Sequence, residues 1–108
     1  MSQEIDIFRV LDFIRDNAKK YAQAKANRVH LEEFRKSKKA LLYQDAPPGT
    51  VAEKEAYAYA HHEYRELLDG IKAAVEVEEG LRWQLEAAKL KADAWRTIQS
   101  NQRAERIV

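Results

Sequence analysis

Between Leu67 and Trp95 an apolar position recurs at alternating steps of four and three residues. The series is Leu67, Ile71, Ala74, Glu78, Leu81, Leu85, Ala88, Ala92 and Trp95, with Glu78 the one polar member. A stripe of that spacing stays on one side of a helix and is buried only against another helix. No proline falls between Glu63 and Gln102, and Ala, Leu, Glu, Lys, Gln and Arg fill most of the remaining positions. Those residues lose little freedom in a helix. The spacing therefore predicts one long helix over about 63–103, whose partner must come from elsewhere in the chain.

The N-terminal part supplies that partner. Ile7, Leu11, Ile14, Ala18 and Tyr21 follow the same alternation, and Lys25 and Arg28 occupy its next two positions. Apolar residues then resume out of phase at Leu31, Phe34 and Leu41. Such a phase break reads as a stutter or local bend in a helix over about 3–43. Residues 44–50, QDAPPGT, hold two prolines and a glycine and form the loop. Thr50 with Glu53 three residues on makes a capping box, so a short helix restarts over about 51–61. A bend near His61-His62 separates it from the long helix.

A seven-residue loop between two striped helices makes them antiparallel neighbours. The expected fold is all-α and a single domain over residues 1–108. Its frame is an antiparallel long-helix hairpin, coiled-coil-like, with a short additional helix. Setting Leu41 beside Leu67 brings Ile14 near Trp95 and Arg28 near Gly80 and Glu79. Lys25 or Arg28 is then expected to pair with Glu78 or Glu79, a polar layer of the kind that fixes register. Phe8, Val10, Phe13, Tyr21, Val29, Leu42, Val77, Trp83 and Leu90 lie partly off the seam and need partners too. They predict a homo-oligomer, with Trp95 in the core and Trp83 at an interface.

Charge is polarised along the chain, although the net formal charge is only +1. Residues 15–39 carry nine basic and three acidic side chains, or +6; residues 44–80 reverse this, nine acidic against three basic, or −6. Residues 81–108 return to +3, six basic against three acidic. The run RKSKK (35–39) is the candidate phosphate-contacting surface: Arg35, Lys36, Lys38 and Lys39, with Tyr43 to stack on and Arg96 and Arg103 further along. No groove-reading motif accompanies it, so any DNA binding would be sequence-tolerant. The opposing candidate is a protein-binding acidic face at Glu76, Glu78 and Glu79 beside Trp83, able to mimic nucleic acid.

Catalytic constellations are lacking. The chain has no cysteine, no HExxH and no glycine-rich phosphate loop. His61 and His62, as neighbours on one helix, would point about 100° apart and not share a metal. The expectation is a non-enzyme with no cofactor, no metal site and no small-molecule substrate. With acidic residues early and no long apolar run, the start of the chain reads as neither leader nor membrane span. That, with the lack of cysteine, favours a cytoplasmic setting.

The segments HLEEFRKSKKALL (30–42) and EYRELLDGIKAAVEVEEGLRWQLEAAKLKADAWRTIQSNQRA (63–104) resemble a group of small helical proteins of unassigned function. Tailed bacteriophages encode these in early regions, near recombination and replication genes. The resemblance implies a bacterial host cytoplasm during infection and assigns no residue a role. Two functional expectations follow. One is an oligomeric accessory protein for DNA recombination or replication, binding nucleic acid or a DNA-processing protein through the basic surface. The other is a protein-binding inhibitor acting through the acidic face, or a structural assembly protein.

Overall fold

The structure, a computed structural model, describes residues 4–107. Among these it contains three helices and no strand: α1 (Ile7–Asp45), α2 (Val51–Ala60) and α3 (His62–Ile107). Residue 3, where the sequence spacing started the first helix, lies outside the described residues. Asp6 caps α1, its carboxylate accepting from the Arg9 backbone N–H at 3.2 Å. At the other end α1 runs two residues further than the spacing suggested, through Gln44 and Asp45, and stops ahead of Pro47. Thr50 caps α2, its hydroxyl accepting from the Glu53 N–H at 3.1 Å.

His61 both closes α2 and opens α3. Its backbone is extended (φ −64°, ψ 138°) and its N–H reaches back to the Ala58 carbonyl. Its carbonyl takes the N–H groups of Tyr64 and Arg65, and its imidazole Nδ1 accepts from the Glu63 N–H at 3.1 Å. A side-chain acceptor two residues ahead of an orphan N–H is an N-cap, here supplied by an imidazole.

All nine positions of the α3 seam are buried or half-buried, Glu78 included. Trp95, expected in the core, is half-buried. The α1 seam differs from the sequence expectation. Its half-buried residues run Ile7, Val10, Ile14, Asn17, Tyr21, Ala24, Arg28 and Leu31, with no stutter, and continue at Lys38 and Leu42. Leu11, Ala18, Lys25, Phe34 and Leu41 face solvent instead. The alternation keeps its phase once polar side chains are admitted to it, skipping only the exposed Arg35, because Asn17, Arg28 and Lys38 occupy positions that an apolar count passes over.

The molecule divides into two compact units, one of Met1–Ala22 with Glu79–Val108 and one of Gln23–Glu78. In the first, α1 and α3 pair alone. Ile14, Ala18 and Tyr21 line one flank of the pair with Arg82, Leu85 and Lys89; Val10 and Phe13 line the other with Gln84, Ala87 and Ala88. Rising numbers on α1 meet falling numbers on α3, so the pair is antiparallel. Ile14 therefore lies by Leu85 and Lys89, not by Trp95. Ala88 is the one buried apolar side chain of this unit among the described residues.

In the second unit α2 adds a third layer. Leu42 from α1 (2% exposed), Ala58 from α2 (0%) and Tyr64 from α3 close a core to which every helix contributes. Complete burial of a leucine-sized side chain is worth about 1.5–3 kcal/mol. Tyr59 meets the Tyr64 ring edge-on at 5.4 Å between centroids.

Candidate interaction surfaces

Several charged residues of the second unit are engaged with one another. Arg28 presents its guanidinium fork to Glu78: Nε donates at 2.6 Å to one carboxylate oxygen and Nη2 at 3.0 Å to the other. Nη1 donates to Glu32 one turn on at 3.0 Å. Hydrogen bonding to Glu78, then to Glu32, raises the Arg28 pKa further above its already high ordinary value. A two-pronged charge-assisted contact of this kind is directional as well as strong. Of the pairings expected between the two polar seams, Lys25 or Arg28 with Glu78 or Glu79, the structure forms Arg28–Glu78.

Glu78 is consequently not a surface carboxylate; it is 6% exposed. Of the acidic-face candidates, Glu76 is exposed, and Glu79 is bound to Arg82 on its own helix at 2.8 Å. That hydrogen bond raises the Arg82 pKa. Arg82 in turn lies over the Trp83 ring, 4.7 Å from its centroid.

The basic run splits in two. Arg35 and Lys36 are exposed, and Lys36 leans toward Glu33 at 3.6 Å. Lys38 and Lys39, taken from sequence as part of the same surface, turn inward. Lys38 bonds Glu63 of α3 at 2.8 Å. That hydrogen bond, reinforced by the charge of Lys38, draws the Glu63 carboxyl below its ordinary value. Lys39 sits 4.4 Å above the Tyr59 ring centroid, and the Tyr59 side chain raises its pKa. Tyr43 is half-buried and carries the Lys54 ammonium over its ring at 5.7 Å. The Lys39 and Tyr43 contacts depend on α2, whose docking place no local pattern around residues 35–39 reveals. Arg96 and Arg103 are exposed on α3, and Arg96 reaches Asp93 at 3.9 Å.

The +6 and −6 stretches thus face each other in this unit through Arg28–Glu78 and Lys38–Glu63. Charge polarity along the sequence becomes charge pairing across antiparallel helices. The His61 and His62 rings also depart from the one-helix expectation. Because His61 lies in the break between helices, the two rings stack, with centroids 4.5 Å apart. Among the described residues no group of three or more His, Asp or Glu side chains is placed to hold a metal ion. No described helix is long and apolar enough to cross a membrane.

The first unit presents a different kind of surface. Trp83 is 62% exposed and Leu90 68%, with Ile98, Phe8, Leu11 and Phe13 also open to solvent. Sequence reasoning singled out Trp83 because it falls off the seam. Leu90 was marked off the seam with it, but the small residues that share that side of α3, Gly80, Ala87 and Ala94, and Ile98 beyond them, were not joined to the pair. The missed signal is a second four-three alternation offset from the first: Gly80, Trp83, Ala87, Leu90, Ala94. No family model, curated protein or solved structure matches the chain.

Proposed function

We propose that this chain is a non-catalytic helical assembly protein that works by docking a helix of a protein partner along the outer face of α3. One observation carries the reading: Trp83 and Leu90 stand about two turns apart on the same side of α3, each more than three-fifths exposed. Isolated exposed apolar residues are ordinary, but large ones aligned at heptad spacing form a seam. Tryptophan is moreover the residue most enriched where partners bind tightly.

The basic-surface reading draws less support from the geometry, since Lys38 and Lys39 are engaged with Glu63 and Tyr59 and leave Arg35 and Lys36 as the open cations. The acidic-face reading is likewise reduced by the burial of Glu78 against Arg28.

The test is a photo-crosslinking amino acid placed at position 90 and, separately, at position 36, with irradiation in the producing cell. A protein adduct at 90 and none at 36 is the expected result. A nucleic-acid adduct at 36 with nothing at 90 would overturn the reading in favour of phosphate binding.

A further inference from the structure

We infer that His61 is a pH-sensitive joint: a proton on its imidazole breaks the cap that starts α3 and releases α2 from the core of the second unit. The inference concerns Gln23–Glu78 and is independent of the docking reading for the outer face of α3.

A single residue joins the two helices. His61 lies between Ala60, the last residue of α2, and His62, the first of α3, and its backbone is extended. The placement of α2 on this side therefore depends on what His61 does.

Its imidazole Nδ1 accepts from the Glu63 N–H at 3.1 Å. Accepting requires a bare nitrogen, with the ring proton on Nε2. In the imidazolium both nitrogens donate, so Nδ1–H would point at another N–H. The Glu63 N–H, one of the orphan donors of the first α3 turn, would then lose its partner. Serine, threonine and asparagine, the usual cap side chains, keep their acceptor oxygen in acid. Histidine does not.

The groups facing the ring come from all three helices. From α3, His62 stacks on it with centroids 4.5 Å apart, close enough for charges on both rings to repel. His62 in turn lines an open groove with Arg65, Glu66 and Asp69. From α2, Tyr57 meets the His61 ring edge-on at 5.7 Å. The Glu63 carboxylate would attract a charged His61, but Lys38 of α1 already engages it at 2.8 Å. The C-terminal end of α2 favours a cation at this place and the N-terminal end of α3 disfavours it. The two dipoles offset, and the lost cap decides.

Release follows from the size of α2. Ten residues are too few to persist as a free helix. Ala58 in the core with Leu42 and Tyr64, the Tyr59–Tyr64 ring contact, and the cations of Lys39 over Tyr59 and Lys54 over Tyr43 hold it in place. Undocking uncovers Leu42 and Tyr64 and frees Lys39. The Lys38–Glu63 bond joins α1 to α3 without α2 and is kept.

Amide exchange of the whole chain, followed by mass spectrometry at about pH 7.5 and about pH 5.5, tests the joint. Histidine is the side chain that ordinarily changes charge in that window. With rates corrected for their intrinsic pH dependence, protection over residues 51–64 should fall about fivefold or more in acid, the effect of losing one cap. Protection over 81–95 should stay as it is. His61→Asn supplies a cap oxygen that does not titrate and should keep α2 protected at both pH values. An equal fall in His61→Asn and wild type would overturn the inference, and so would unchanged α2 protection in the wild type. A second measurement needs no variant: the imidazole nitrogen shifts of the wild type at neutral pH should place the His61 proton on Nε2. A proton on Nδ1 would overturn the cap and the joint with it.

Discussion

The two units use the same two helices and reach opposite outcomes. In Gln23–Glu78, α1 and α3 gain α2 as a third element, and Leu42, Ala58 and Tyr64 become a closed core. In the other unit α1 and α3 pair without α2, and among the described residues Ala88 is the one apolar side chain it buries. A helix pair hides one stripe per helix; anything apolar off that stripe needs a third body. Unit two finds it within the chain, and unit one leaves Phe8, Trp83 and Leu90 without one. Charge follows the same division. Ion pairs of the first unit are short-range, within one helix, whereas those of the second also join elements far apart in sequence.

The largest effects should therefore come from the second unit. Leu42→Ala removes the side chain that all three helices share and should destabilise by about 2–4 kcal/mol. Urea titration measures that loss, and amide exchange should show α2 losing protection first. Leu90→Ala, on dilute protein, should change stability by no more than ~0.5 kcal/mol. Equal losses at the two positions would erase the contrast between the units.

Next in size is the polar layer. Arg28→Ala leaves Glu78 near the helix interface without its forked partner and should lower Tm in a thermal melt. The double replacement Arg28→Leu, Glu78→Leu should recover most of that loss, because a well-packed apolar pair often equals or exceeds a buried ion pair. An unchanged Tm for the single variant would mean that the pair contributes nothing to the second unit.

How far the sequence reveals these differences depends on which helix is read. On α3 every seam position was legible, since eight of nine are apolar. On α1 the seam takes Asn17, Arg28 and Lys38, while Leu11, Phe34 and Leu41 stay outside it. An apolar count there follows the wrong residues and reports a stutter that is not present. A pairing of Lys25 or Arg28 with Glu78 or Glu79 was legible nonetheless, because these polar seam positions lie at similar distances from the end of α1 and the start of α3. The inward turn of Lys38 and Lys39 was not, since it is produced by Glu63 and by Tyr59 of α2. The Tyr59 contact depends on where a ten-residue helix docks, and periodicity carries no information about that.

The glycines of α3 sharpen the comparison at smaller amplitude. Gly70 belongs to the second unit and Gly80 to the first, and a Cβ at either meets nothing within 4 Å. As isolated helix positions, each alanine substitution should stabilise by about 0.4–1 kcal/mol in urea titration of dilute protein. A loss of stability at either position would mean that its glycine is held for a contact outside its own helix.

The smallest effect is the pH response of the Lys38–Glu63 contact. Hydrogen bonding and charge from Lys38 hold the Glu63 carboxyl below its ordinary value of 4.5. A carboxyl with a lowered pKa binds its proton more weakly in the folded chain than in the unfolded one, so folding is favoured while the group is ionised. That stabilisation is fully present above pH 4.5 and is lost as pH falls through the depressed value. Both side chains keep substantial contact with water, so solvent screening makes the contribution small. Urea midpoints of wild type and Glu63→Gln should differ by a constant amount from neutral pH down to about pH 5 and then converge in more acid solution. The same substitution removes the acid that holds Lys38 inward, so Lys38 should become more reactive toward amine-modifying reagents. A gap between the two proteins that widens on acidification would reverse the sign and exclude Lys38 as the cause of the shift.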